Sequence, residues 1–370
     1  MIRLLSFPCS AVVLVLAVAG FTFAEKPVPA EFAPFFRPPA EFTQLGDFRS
    51  PLIFADGTRV RTAEEWPRRR AEIRSQWEEV MGVWPELIAH PRIELISSET
   101  RDGFEQRRVK VEVAPGFFTE GYLLIPPGAE KRPAVLVPFY EPETSVGLGK
   151  SQNRDFAWQL TKRGFVTLSI GSPGGDARLP RPGRPKWQPL SYLGYVAANC
   201  GTILAQLPEV DPARIGIVGH SYGGKWAMFA SCLDERFACA VWSDGGIVFD
   251  EKRSNVNYWE PWYLGADEQR KRKPGIPTED NPRTGAYAAM IDRGMDLHEL
   301  HALMAPRPFL VSGGSEDPPE RWLALNHTVE VNRLLGFENR VAMTSRPRHD
   351  PDAESNGLIY RFFEHFLMGK

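Results

Sequence analysis

One serine lies in a sequence that could make it a nucleophile. Residues 215–218 form a short apolar run that leads into the sequence G-H-S-Y-G, and residues 225–230 follow with good helix formers and no helix breaker. This order predicts a strand, a sharp turn and a helix, the arrangement that lifts a serine hydroxyl clear of the backbone. Gly219 and Gly223 are required because a β-carbon at either place would collide with the neighbouring strand or helix. We therefore predict that Ser221 is a nucleophile, in preference to an ordinary structural turn.

A serine hydroxyl needs a base to take its proton, and seven histidines compete for that role. His349 stands in a polar loop between the apolar run 341–344 and a helical pattern at 358–367. A histidine there can reach over the carboxyl edge of a sheet toward the serine, so His349 is the predicted base. His298 and His301 are spaced as a metal pair could be, but no further ligand cluster accompanies them, so no metal and no cofactor is predicted.

A carboxylate must orient the histidine. The apolar run 309–312 leads into a glycine-rich turn that contains Glu316 and Asp317. Asp317 completes the chain order Ser, Asp, His that accompanies this type of turn, so it is the predicted acid. Two alternatives stay open, namely its neighbour Glu316 and Asp244, which follows the next strand after the nucleophile.

The oxygen of the attacked carbonyl group needs backbone N–H donors once it becomes negatively charged. We expect one donor from Tyr222, the residue after the serine. We expect the other from the loop after the apolar run 134–137, at Phe139 or Tyr140.

The predicted serine, histidine and acid can contact one another only if the strands that precede them end at the same edge of a sheet. Alternating stretches predict three antiparallel strands at 92–99, 106–113 and 121–125. Short apolar runs predict six further strands, at 134–137, 166–170, 215–218, 239–242, 309–312 and 341–344. Helical patterns separate most of these runs, including those at 155–163, 192–207 and 322–335. The alternation predicts an α/β fold with a mostly parallel sheet, helices on both faces and a lid-like insertion at about 247–300.

The chain is predicted to have one core after an export signal. Residues 1–24 contain Arg3, an apolar run and small residues before Glu25, which is typical of a secretory signal peptide. Residues 25–91 predict an extended segment followed by an amphipathic helix at 63–83, and residues 92–370 predict the catalytic domain. We expect a secreted or periplasmic protein with no membrane anchor in the mature chain.

Composition narrows the classes of partner. The 370 residues are 43% hydrophobic and 24% charged, with a formal net charge of −2, so no basic field for nucleic acid is expected. Beyond the signal peptide the chain has an odd number of cysteines, Cys200, Cys232 and Cys239, all in apolar patterns. Buried thiols are favoured over a disulfide between Cys232 and Cys239.

The turn and its flanks resemble the α/β-hydrolases over about residues 92–370. Residues 207–216, LPEVDPARIG, and residues 233–238, LDERFA, resemble the secreted carbohydrate esterases, that is, glucuronoyl esterases and acetyl xylan esterase-like proteins. The resemblance implies a serine esterase that acts on small-molecule or polysaccharide esters through an acyl-enzyme. Some glucuronoyl esterases carry their acid at the position that Asp244 matches.

Substrate contacts are implied mainly by the same resemblance. Glucuronoyl esterases typically carry G-x-S-R-x-G-K, in which the arginine supports the oxyanion and the lysine meets sugar hydroxyls. Lys225 matches the lysine, but Tyr222 stands in the place of the arginine. Trp187, Trp259 and Trp262 lie in proline-rich or inserted segments and could stack on sugars, although packing onto the body of the protein explains them equally well.

Two other functions stay open. The sequence G-H-S-Y-G-G is also similar to the elbow of prolyl oligopeptidase-type peptidases, which usually have a large propeller upstream. The same fold could also serve as a binding module without catalysis.

Overall fold

The computed structural model of the chain describes residues 27–149, 152–175, 187–253, 263–264, 267, 272–273 and 275–369. The predicted signal peptide, Trp259 and Trp262 lie outside these residues. None of the helices in the described part of the chain is both long and apolar enough to cross a membrane.

The described residues contain one nine-stranded sheet. Its strands are β1 (Ile93–Arg101), β2 (Phe104–Ala114), β3 (Phe117–Ile125), β4 (Arg132–Pro138), β5 (Val166–Ile170), β6 (Val210–His220), β7 (Cys239–Ser243), β8 (Phe309–Gly313) and β9 (Val341–Ser345). Their order across the sheet is β1-β2-β3-β5-β4-β6-β7-β8-β9. The pairs β1/β2, β2/β3 and β3/β5 are antiparallel, and every pair from β5/β4 to β8/β9 is parallel. All strands from β4 onward therefore end at the same edge.

Helices cover both faces of this sheet. They are α1 (Trp66–Met81), α2 (Pro142–Ser145), α3 (Phe156–Thr161), α4 (Pro189–Gln206), α5 (Tyr222–Leu233), α6 (Gly285–Asp292), α7 (Leu297–Ala302), α8 (Trp322–Leu334) and α9 (Ala353–Phe363). Successive strand residues point to opposite faces. Ile217 accordingly joins the apolar cluster formed with α1, α4, α5 and α7, whereas Val218 joins the cluster formed with α3 and α9.

The predicted fold class, a mostly parallel sheet with helices on both faces, is confirmed. One boundary matters for the site, because α9 begins at Ala353 and the predicted helix begins at residue 358. The side chain of Asp352 accepts the Ser355 N–H, and the Ser355 hydroxyl accepts the Asp352 N–H, which starts the helix early. The loop that carries His349 is consequently short.

Two other expectations concern the cysteines and the insertion. Cys200, Cys232 and Cys239 are all buried free thiols, so the prediction of buried thiols is confirmed. Within the predicted insertion the described residues include α6 and α7. The domain boundaries themselves stay a prediction.

Candidate active site

The turn at Ser221 has the strained geometry that its glycines predict. Ser221 has φ 56° and ψ −118°, a left-handed φ that is uncommon for a residue other than glycine. A β-carbon on Gly219 would lie 2.1 Å from the Gly223 carbonyl oxygen. One on Gly223 would lie 2.3 Å from the Pro138 carbonyl oxygen. Only glycine fits at either position, and the two glycines therefore allow β6, α5 and the end of β4 to pack closely together.

The serine hydroxyl lies in a hydrogen-bonded chain of three side chains. His349 Nε2 is 2.9 Å from Ser221 Oγ, and His349 Nδ1 is 2.6 Å from Asp244 Oδ2. Asp244 is fully buried, whereas 35% of the His349 side chain is exposed. The geometry brings Ser221 and His349 together as expected, but the carboxylate against His349 is Asp244 and not the predicted Asp317.

The order of the strands explains this correction. Ser221 follows β6 and His349 follows β9, with β7 and β8 between them. To contact the serine, the imidazole must therefore lie over the end of β7, where Asp244 is the first residue after the strand. Asp317, which leaves β8, was expected to meet His349 because their strands are adjacent. That expectation neglected how far the histidine loop must extend across the sheet.

Asp317 has a different set of partners. Its two carboxylate oxygens accept the N–H groups of Gly246 and Ile247, each at 2.7 Å, so it holds the loop after Asp244. Asp244 in turn holds the loop of Asp317. Its Oδ1 accepts three N–H groups, those of Gly314 at 2.6 Å, Glu316 at 3.1 Å and Asp317 at 2.9 Å. The two buried carboxylates therefore fix each other's loops.

The third candidate acid, Glu316, points elsewhere. Its carboxylate lies 3.5 Å from the Arg253 guanidinium in an ion pair. No hydrogen bond between Glu316 and His349 occurs among the described contacts, so this alternative for the acid is not supported by the geometry.

Burial shifts the pKa values of two groups near the site, Asp317 and His220. The pKa of Asp317 is raised to about 6, first by burial and then by the nearby charge of Asp244. His220 has a pKa well below its usual value because it is buried and because His349 is close, with the two ring centroids 4.8 Å apart. The Nδ1 atom of His220 lies 3.2 Å from the Ser243 hydroxyl. His220 is thus a neutral neighbour of His349 at neutral pH.

The predicted oxyanion donors lie on two elements. Tyr222 is the first residue of α5, so its N–H lies at the N-terminus of that helix, directly after Ser221. The Phe139 N–H donates to the Ile170 carbonyl at 3.1 Å, so it is engaged in the sheet and does not serve as the second donor. Of the two residues predicted in this loop, Tyr140 stays the candidate.

Comparisons with known proteins agree with this fold. The family model described as "Glucuronyl esterase, fungi" matches residues 202–333. Carbohydrate esterase MZ0003, from an unknown prokaryotic organism, is 21% identical over 95% of this chain and 93% of its own length. Solved glucuronoyl esterases from Solibacter usitatus and Teredinibacter turnerae have TM-scores of 0.66 at 20% and 18% identity. Each alignment covers 86% of this chain, with 97% and 89% of the respective structure.

The chain has the α/β-hydrolase fold and resembles the glucuronoyl esterases. The predicted resemblance to carbohydrate esterases is confirmed by these matches. The residue that departs from the glucuronoyl esterase pattern, Tyr222, is fully buried. Its ring stacks on Tyr140 at 4.5 Å and on Tyr263 at 5.8 Å, and its hydroxyl accepts the Ser172 hydroxyl at 3.2 Å. An aromatic stack therefore occupies the place beside the serine where the pattern has a cation.

Lys225 matches the glucuronoyl esterase pattern but is fully buried. Its Nζ donates to the Gly245 carbonyl at 2.7 Å, and burial lowers its pKa well below the usual value. A side chain closed to solvent cannot meet a sugar hydroxyl, so the predicted contact is wrong for this conformation. Lys225 joins the start of α5 to the loop after Asp244.

Trp187 is the one predicted sugar-stacking residue that falls in the described part of the chain. It is half-buried, and its ring stacks on Tyr192 with 5.8 Å between centroids and lies 5.6 Å from that of Tyr195. These contacts on α4 favour the packing alternative for Trp187.

The two histidines on α7 contact residues other than Ser221, His349 and Asp244. The Nε2 atom of His298 lies 2.6 Å from the Arg49 carbonyl oxygen, and the ring of His301 packs 5.1 Å from that of Trp242. A search of the described residues finds no group of three or more His, Cys, Asp or Glu that could hold a metal ion.

Proposed function

We propose that this protein is an exported serine esterase that hydrolyses carboxylic esters on carbohydrate, with Ser221, His349 and Asp244 as its catalytic triad. The observation that carries the proposal is the continuous pair of hydrogen bonds, 2.9 Å from His349 Nε2 to Ser221 Oγ and 2.6 Å from His349 Nδ1 to Asp244 Oδ2. Both distances lie within the reach needed for proton transfer to a base that an acid orients.

The reaction follows from these contacts. Ser221 Oγ attacks the ester carbonyl carbon while His349 Nε2 takes its proton, and Asp244 stabilises the imidazolium that forms. The backbone N–H groups of Tyr222 and Tyr140 donate hydrogen bonds to the carbonyl oxygen as it becomes negatively charged. His349 then gives its proton to the departing alcohol, which leaves an acyl-enzyme on Ser221. Water, activated by the same histidine, hydrolyses this ester and restores the serine.

The substrate class rests on the relatives together with the site. The solved structures from Solibacter usitatus and Teredinibacter turnerae are named glucuronoyl esterases, and the curated relative is named a carbohydrate esterase. Tyr222 replaces the arginine of their motif with a buried aromatic stack, so the acid part of the ester is not committed to a uronate. Acetyl and uronate esters of sugars are therefore both candidate substrates. The signal-like residues 1–24 support export to the polymers that carry such esters.

The test is turnover of purified protein on a panel of an aryl acetate, acetylated xylan, a glucuronate alkyl ester and an aminoacyl-arylamide. We expect hydrolysis of at least one sugar ester and of the aryl acetate. Ser221→Ala and His349→Ala should each lower kcat by about 10⁴-fold or more, and the double variant should lose little beyond either single one because the residues act as a unit.

Three results would contradict the proposal. Retained esterase activity in Ser221→Ala would remove the triad, and faster turnover of the arylamide than of every ester would favour a peptidase of the prolyl oligopeptidase type. A wild-type protein that an organophosphonate fails to label at Ser221 would instead be a binding module.

A further inference from the structure

We propose that Arg346 is a positioning residue that holds His349 in register with Asp244 and Ser221, an inference that rests on the proposed triad. Arg346 is the first residue after β9, and its side chain is buried. Its guanidinium turns toward its own loop. Nη2 donates to the His349 carbonyl at 2.8 Å, and Nε donates to the Asp350 carbonyl at 3.0 Å.

The same guanidinium is also attached to the sheet. Nη1 donates to the Ser312 carbonyl at 2.9 Å and to the Ser312 hydroxyl at 3.0 Å, near the end of β8. Nη2 lies 3.4 Å from the hydroxyl of Ser243, the last residue of β7 and the one before Asp244. One rigid group therefore ties the backbone of the histidine to the end of β8 and, through the longer contact with Ser243, to the end of β7, from which Asp244 emerges.

The position of His349 depends on such an anchor. The loop between β9 and α9 forms neither helix nor strand at His349, and it must cross β8 to bring the imidazole over β7. A third of the His349 side chain is exposed, so packing alone holds the ring only in part. A displacement of about 1 Å in a reacting group can cost on the order of 10²-fold in rate.

Arginine suits this task better than lysine. Its planar fork offers five N–H donors in fixed directions, and Arg346 uses them toward two separate elements at once. A lysine ammonium could satisfy the loop or the strand ends but could not span both. Arg346→Lys therefore keeps the positive charge but loses the simultaneous hydrogen bonds to the His349 loop and to the strand ends.

The chain offers a matched control in Arg307. It also donates to several backbone carbonyls, those of Ser231 at 2.8 Å, Phe237 at 2.9 Å and Leu303 at 3.1 Å. These partners lie at the opposite ends of the strands, before β7 and β8, so Arg307→Lys loses comparable hydrogen bonds without touching the triad.

The experiment compares both variants with the wild type by steady-state kinetics on an aryl acetate, by organophosphonate labelling of Ser221 and by the downfield NMR signal of the His349 Nδ1 proton. For Arg346→Lys we expect kcat and the labelling rate to fall on the order of 10²-fold, KM to change less than about threefold, and the proton signal to weaken. For Arg307→Lys we expect lower thermal stability with kcat, labelling and the proton signal near wild type.

Three outcomes would overturn the inference. They are a kcat of Arg346→Lys within about threefold of wild type, an equal loss of kcat in Arg307→Lys, or an unchanged proton signal in Arg346→Lys. Should Arg346→Lys fail to fold, Ser312→Ala removes only the hydroxyl anchor, and we then expect a several-fold loss of kcat at unchanged KM. A wild-type protein without esterase activity would defeat the proposed function instead, and the proton signal would still test the role of Arg346.

Discussion

Conversion of Asp244 to asparagine is the sharpest test of the proposed triad. The carboxylate uses its two oxygens differently. Oδ1 accepts three backbone N–H groups, whereas Oδ2 faces His349 Nδ1 at 2.6 Å and shares only the Glu316 N–H, at the longer distance of 3.3 Å. In Asp244→Asn the amide oxygen must take the position of Oδ1, which accepts the three backbone N–H groups. An NH₂ group in that position would face other N–H donors. The amide NH₂ is then directed at His349 Nδ1.

This orientation reverses the tautomer of the base. Nδ1 of His349 becomes the acceptor of the amide, so the ring proton moves to Nε2, which faces Ser221 at 2.9 Å. A protonated Nε2 cannot take the serine proton. Loss of the tautomer-holding acid costs about 10⁴-fold in kcat, which corresponds to about 5 kcal/mol of transition-state stabilisation.

Asp317→Asn is the matched control, because both carboxylates are fully buried and both accept backbone N–H groups. Its asparagine keeps an acceptor for one of the N–H groups of Gly246 and Ile247 and loses the other. We expect a loss of about 1–3 kcal/mol in the free energy of unfolding and a drop in kcat far smaller than that of Asp244→Asn.

The assay is kcat on an aryl acetate at pH 7.5, with urea unfolding of each variant to separate activity from stability. If Asp317→Asn lost about 10⁴-fold while Asp244→Asn stayed within about tenfold of wild type, the acid would be Asp317 and the argument from strand order would be refuted.

Two further predictions concern buried polar side chains. Lys225→Met should change KM for an oligosaccharide ester and for an aryl acetate by the same factor, because Nζ is closed to solvent. A rise in KM confined to the oligosaccharide ester would instead indicate that Lys225 contacts the sugar. Burial lowers the pKa of His298 to about 3 and that of His301 well below its usual value. Because unfolded histidine has a pKa of about 6.5, the unfolded chain binds more protons between these values, so the free energy of unfolding should fall as pH drops below about 6.5. In His301→Phe the free energy of unfolding, measured with urea, should differ less between pH 7.5 and pH 5.0 than it does in the wild type. An unchanged difference would show that His301 does not contribute to the pH dependence.

Local sequence was sufficient to predict the sharp turn at Ser221 and the fold class. The apolar run, the two glycines and the helix formers around Ser221 lie within a few residues of one another, so each acts on the same turn. Alternating apolar runs and helical patterns likewise predict strands and helices from neighbours in the chain. His349 could be placed at the site because a loop after a terminal parallel strand opens at the carboxyl edge.

The choice of acid was beyond that reasoning, because it depends on which strand lies beneath the imidazole. Asp244 does carry a local signal, since it follows a predicted strand closely and precedes two glycines, but Asp317 stands in an equally glycine-rich turn. Only the order β6-β7-β8-β9 makes the histidine stop above β7.

Burial was the other property that the sequence left open. Lys225 and Tyr222 stand beside the nucleophile in a motif, and a motif does not tell whether a side chain faces substrate or the interior. The loop after Asp244 accepts the Lys225 ammonium, and the rings of Tyr140 and Tyr263 pack on Tyr222, so both side chains are buried. In the sequence, Arg346 is likewise one of several charged loop residues. Only the folded chain shows that it contacts both the end of β8 and the backbone of His349. Contacts between residues far apart in the chain depend on how whole elements pack, so the tertiary structure alone decides them.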